Sequence, residues 1–126
     1  MARVTGIGGV FFKARDPSAL KAWYVQHLGF NLEEWGGVLF QWNEDAKAHA
    51  EPGVTVWNLG EEAGTWFAPS ESRFMVNYRV DDLEALLTQL AAAGIKPVKG
   101  PDEEFNGRFA WIMDPEGNKV ELWEPA

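Results

Sequence analysis

Two short segments of this chain recur at a single spacing. Val10-Phe11-Phe12-Lys13 lines up with Val76-Asn77-Tyr78-Arg79. Val54-Thr55-Val56-Trp57 lines up with Val120-Glu121-Leu122-Trp123, 66 positions on in both cases. A shared offset near each end of a unit points to a duplicated module, and internal repetition limits the available architectures before any local reading begins.

The punctuation between these segments gives the module its shape. Gly6–Ala14 is apolar and β-prone and stops at Asp16-Pro17, which predicts a strand followed by a turn. Asp16 or Ser18 can cap a helix over Ala19–His27, with Leu20, Trp23, Tyr24 and Leu28 on one face and Gly29 as its stop. Asn31–Glu34, Val38–Trp42 and Val54–Leu59 then read as short strands, with Glu44–Gly53 as a charged loop. The second half repeats the order. Arg73–Val80 is a predicted strand, Leu83–Ala93 a helix closed by Gly94, and Ile95–Val98 a short strand. Lys99–Gly107 reads as a polar loop, Arg108–Met113 as a strand, Asp114–Gly117 as a turn and Lys119–Trp123 as the last strand.

The expected fold is α+β, with two tandem βαβββ modules forming a curved mixed sheet around a cleft. Half 1 covers about 1–60, a linker about 60–72, and half 2 about 73–126, all within a single domain over 1–126. Each half covers one sheet face with its helix, so the other face must curl around a ligand or pack on a second half.

Composition removes several partners. The formal net charge is −8, which repels phosphate backbones and anionic membranes, so neither nucleic acid nor a membrane surface is expected. No apolar run approaches the ~18 residues of a membrane helix, and the N-terminus leads straight into a strand-like segment with no signal-peptide pattern. Cysteine is absent, which removes disulfide and thiolate chemistry and fits a reducing, cytoplasmic setting. Seven Trp and eight Phe can fill a core and also line a pocket for flat or cationic groups.

Three segments carry a family resemblance. They are Gly6–Val10 through Asp16-Pro17 to Leu28-Gly29-Phe30, Tyr78–Leu86, and the closing Asp114-Pro115-Glu116-Gly117-Asn118-Lys119-Val120-Glu121-Leu122-Trp123. Together they resemble the vicinal oxygen chelate superfamily of glyoxalases, bleomycin-resistance proteins and dioxygenases. In its metal-dependent members each half supplies a His from its first strand and a Glu or similar residue from its last. The matching positions here hold Gly9, Thr55, Met75 and Glu121. Glycine has no donor, the methionine thioether is too soft for the ions concerned, and threonine is a weak neutral ligand. The two histidines, His27 and His49, fall on a predicted helix and loop. The resemblance therefore implies the fold and a homodimer, while these positions imply no metal and no cofactor.

Alternation along the strands gives the rest of the cleft. With Gly9 and Glu121 facing inward, Phe11 and Lys13 share the first face and Asn77 and Arg79 that of Met75. The expected ligand-binding set is Phe11, Thr55, Trp57, Met75, Asn77, Glu121 and Trp123. Val10, Phe12, Val76, Tyr78 and Val80 would pack under the helices.

Two function classes follow. One is a metal-independent small-molecule binding or sequestering protein, similar in logic to the bleomycin-resistance branch, taking an aromatic or cationic ligand. The other is a glyoxalase-like lyase, isomerase or dioxygenase with a rearranged site, using Glu121 as acid or base. No catalytic residue is assigned, and whether the chain is an enzyme stays open at this level.

Overall fold

A computed structural model describes residue 3 and residues 7–126. The start of the first predicted strand, Gly6, lies outside the described residues. In chain order the elements are α1 (Pro17–Leu28), α2 (Trp42–Ala48), β1 (Val76–Arg79), α3 (Leu83–Ala92), β2 (Lys99–Glu104), β3 (Gly107–Met113) and β4 (Lys119–Pro125). The architecture is mixed α+β, with a curved, unclosed four-stranded sheet in the order β1-β4-β3-β2. The α3 crossover makes β1 parallel to β4, whereas β3 runs antiparallel to both β4 and β2.

Capping chemistry sets the helix limits. The Asp16 carboxylate accepts the Ala19 backbone N–H at 3.1 Å, and Pro17 occupies the first turn, where its missing N–H costs nothing. Gly29 ends α1 in the left-handed region at φ 71°, and its N–H donates to the Tyr24 carbonyl. Asp82 caps α3 in the same way, accepting from the Ala85 N–H at 3.0 Å.

Both helices cover one face of the sheet. Leu20 and Tyr24 of α1 join Leu83 and Leu90 of α3 against Ala110, Ile112, Val120 and Leu122. Leu83, Ile112 and Leu122 have no exposed surface, and burying each such side chain contributes roughly 1.5–3 kcal/mol. Tyr78 and Val80 pack against this cluster, on the helix side as alternation requires. The core is pinned at its edge by Asp114, which is buried and accepts four hydrogen bonds. These come from the Tyr24 hydroxyl (2.9 Å), the Glu116 and Asn118 backbone N–H groups (2.9 Å each) and the Asn118 side chain (2.8 Å).

The second half thus forms one complete βαβββ unit. Its third element differs from expectation: the strand lies at Lys99–Glu104, on the segment expected to be a loop, and not at Ile95–Val98. Hydrophobicity marks the wrong stretch because β2 is an edge strand, and edges carry charge and proline to resist further pairing. The first half contributes α1 and the unexpected α2. The acidic Glu44 and Asp45 in the first turn of α2, with Lys47 in its last, suit the helix dipole. Among the described residues, 7–14, 31–34, 38–41 and 54–59 form no ladder. A strand needs a hydrogen-bonded neighbour, and here the apolar side chains meant to face one lie open: Val10, Leu39, Phe40, Val56 and Leu59 are exposed. Phe12, expected under a helix, instead packs on Phe74 at 5.1 Å between ring centroids.

Candidate functional site

The sheet face opposite the helices is built by strict alternation. β3 contributes Phe109, Trp111 and Met113, and β4 contributes Lys119, Glu121 and Trp123. Register places Trp111 opposite Glu121 and Phe109 opposite Trp123, with Asn77 beside Glu121 and Arg79 beside Trp123. The three rings run nearly parallel: Phe109 lies 16° from Trp111 and 4° from Trp123, with centroids 6.1 and 5.8 Å away.

Glu121 sits in the middle of this face with both oxygens engaged. One accepts from the Asn77 amide at 2.7 Å and the other from the Trp111 indole N–H at 2.8 Å. Trp123 donates its indole N–H to the Asn106 carbonyl at 2.9 Å, which fixes its ring. The chain's own cations lie on the indoles. Arg79 is 5.1 Å from the Trp123 ring centroid, Lys99 is 4.6 Å from that of Trp111, and Lys119 is 5.9 Å from it.

The first half and the linker each close one end of the face. From α2, Asp45 accepts the Arg79 Nε–H at 2.9 Å, and the nearly buried His49 ring approaches the same carboxylate at 3.7 Å. Gly53 passes over this pair; a Cβ there would lie 3.0 Å from Asp45 Oδ2. A cavity of about 230 Å³ results, lined by His49, Val54, Arg79, Asn106 and Trp123. At the other end the Trp66 carbonyl accepts from Lys119 Nζ at 2.9 Å. A larger open groove of about 570 Å³ runs along the outer side of α1. The carboxylates there are already engaged, Asp16 as a helix cap and Glu116 by the backbone N–H groups of Arg15 and Asp16.

Of the residues expected to bind ligand, Asn77, Glu121 and Trp123 come together on this face. Met75 is half-buried and immediately precedes β1. Phe11, Thr55 and Trp57 are exposed, Phe11 at 92%, because the segments that carry them have no strand neighbour to orient them. Phe109, Trp111, Lys99 and Lys119 were not anticipated. Alternation over Arg108–Met113, applied as it was to β1 and β4, would have found the two rings.

The donor set does not fit a divalent metal. Glu121 is the only carboxylate that β1, β3 or β4 places on this face, both its oxygens are taken by neutral donors, and Lys119 is its neighbour along the strand. Among the described residues, no three His, Cys, Asp or Glu side chains gather as a ligand group.

Residues 6–122 match the family model described as Glyoxalase/Bleomycin resistance protein/Dioxygenase superfamily. The chain is 26% identical over 68 residues to YraH of Bacillus subtilis (strain 168), a match covering 52% of this chain and 53% of YraH. The chain thus spans about half the length of the curated relative it matches. Among solved structures it is similar to TnmS3, an antibiotic binding protein from Streptomyces sp. CB03234, with TM-score 0.61, 22% identity and full coverage of both chains. A glyoxalase/bleomycin resistance protein from the same organism superposes with TM-score 0.51 and 21% identity over 86% of this chain and 91% of that one. At these identities the likeness carries the fold alone.

Proposed function

The chain belongs to the glyoxalase/bleomycin resistance protein/dioxygenase superfamily, and from that premise we propose that it is a metal-independent small-molecule binding or sequestering protein with an aromatic cleft. The observation that carries this reading is the row of near-parallel rings at Trp111, Phe109 and Trp123 around a single hydrogen-bonded carboxylate. Flat apolar walls with few, fixed polar groups suit ligand capture. The likeness to an antibiotic binding protein supports it at the level of fold.

The working form in this reading is a homodimer. The chain exposes 9429 Å², whereas a compact protein of 14.1 kDa exposes roughly 6,700 Å². Much of the open apolar surface lies on the first half, at Val10, Phe11, Leu39, Phe40, Val56, Trp57 and Leu59. An interface of obligate size would use such a surface. We place the protein in the cytoplasm on its lack of cysteine. Among the described residues, no helix is long and apolar enough to cross a membrane.

The test is calorimetric titration of the purified, unchelated protein with a panel of planar aromatic compounds, beside elemental analysis for divalent metal. Saturable binding that Trp111→Ala weakens is the expected result. One tightly held metal ion per chain, or no heat from any compound, would overturn the reading.

A further inference from the structure

The charges on the aromatic face specify more than planarity. A cleft built to hold a cation would leave the faces of its indoles open, since the ring quadrupole is what attracts the positive charge. Here those faces are already taken by the chain's own cations. Lys99 and Lys119 both lie over Trp111, at 4.6 and 5.9 Å, and Arg79 lies over Trp123. A ligand cation would have to displace them and would meet their repulsion. The chain as a whole carries a net charge of −8, so three cations on one face run against its overall balance.

Lys119 is the most informative of the three. Its side chain is on the sheet interior, only 5% exposed, and its single hydrogen bond among the described residues goes to the neutral Trp66 carbonyl. An ammonium has three donors, and a buried one is stable only when paired with acceptors or a countercharge. Glu121 favours the charge, but burial and the neighbouring Lys99 together push the Lys119 ammonium below the usual lysine range. The other cations of the face have acidic partners. Arg79 has Asp45 at 2.9 Å, and Lys99 has Asp102 at 3.9 Å on an exposed edge. Lys119 has no salt bridge among the described residues.

We propose that Lys99 and Lys119, both beside the Trp111 ring, form an anion seat, and that the cleft takes planar aromatic molecules bearing an acidic group such as a carboxylate or phenolate. The ring system lies against Phe109, and the anion supplies the acceptors that Lys119 lacks. The inference rests on the aromatic-cleft reading above and adds the sign of the ligand's charge.

The test uses one ring system with three charges: 2-naphthoate, neutral 2-naphthamide and cationic 2-naphthylmethylamine, each titrated calorimetrically into the full chain at neutral pH. Naphthoate should bind about tenfold more tightly than the amide, as charge-assisted hydrogen bonds imply, and the amine most weakly. Lys99→Met, at an exposed position, and Lys119→Met should each lower the ratio of naphthoate to amide affinity several-fold, with thermal unfolding reporting that the variants are folded. Equal or tighter binding of the amide or the amine overturns the anion seat and leaves the aromatic cleft standing. So does tight naphthoate binding that neither substitution affects. Failure of all three probes to bind removes the cleft reading and this proposal with it.

Discussion

The Trp111 indole N–H donates to Glu121 Oε2 at 2.8 Å, directly across the β3–β4 ladder. The bond lets one strand hold a carboxylate upright on an otherwise aromatic face, and it locks the ring against which Lys99 and Lys119 rest. Trp111→Phe keeps a ring there but leaves half of the carboxylate without its donor. The expected cost is about 1–3 kcal/mol, read as a lower urea midpoint at unchanged slope. A midpoint equal to wild type would show that the pair contributes nothing to stability.

Tyr24→Phe removes one of the four donors that satisfy buried Asp114. The other three remain, so the fold should survive with a loss of about 1–3 kcal/mol. Urea unfolding checks this, and a neutral result would mean that solvent or a neighbour replaces the hydroxyl.

The tyrosines give an alkaline signature. The chain has only Tyr24 and Tyr78. Burial, then the charge of Asp114, pushes the Tyr78 phenol up to about 12. Burial, then the neighbouring Tyr78, raises Tyr24 still further. A phenol whose folded value lies above the unfolded one near 10 stabilises the protein fully below pH 10, and this contribution is lost as pH rises beyond it. Absorbance of tyrosinate should therefore be missing at pH 10 to 11 and appear together with unfolding. A normal titration near 10 in folded protein would contradict the burial of both rings.

On the acid side the group to watch is Glu116. The Asp16 and Arg15 backbone N–H groups hold its carboxyl below the ordinary value of 4.5. A depressed carboxylate stabilises the fold above its unfolded pKa, and that share is lost as pH falls from about 4.5 through the lower folded value. Glu116→Gln should be less stable than wild type at neutral pH, with the gap closing below that window. Parallel stability profiles for the two proteins would refute the assignment.

Dimerisation is checked by sedimentation equilibrium. A mass near twice 14.1 kDa is expected, and Trp57→Glu combined with Phe11→Asp should shift it to the monomer without changing helix content. A monomeric wild type would leave the open first-half surface without the partner proposed for it.

How far the sequence was legible depended on whether a segment could settle its structure by itself. The two long helices announced themselves through Asp16, Gly29 and Gly94, and β3 and β4 through the Asp114–Gly117 turn between them, because caps, turns and period are local. The face carrying Asn77, Glu121 and Trp123 followed from the same period. β2 did not, because its residues Lys99–Glu104 are charged like a loop and only the neighbouring Trp111 and Phe109 make them a strand. Nor did α2, where the strand-like Val38–Trp42 runs into a helix starting at Trp42. The lysines of the site were invisible for another reason. A charged side chain at a strand position reads as solvent-facing, and nothing along the chain says that Lys119 will be covered by the carbonyl of Trp66, 53 residues earlier.

The pin between Tyr24 and Asp114 joins positions 90 residues apart. During synthesis the α1 stripe therefore leaves the ribosome well before the strands that cover it exist. At bacterial and eukaryotic elongation rates of about 5–20 residues per second, that delay is roughly 5–20 s. Throughout that interval Leu20 and Tyr24 are adhesive surface on an unfinished chain, so newly made protein should depend on holding chaperones far more than the finished molecule does when it refolds from denaturant.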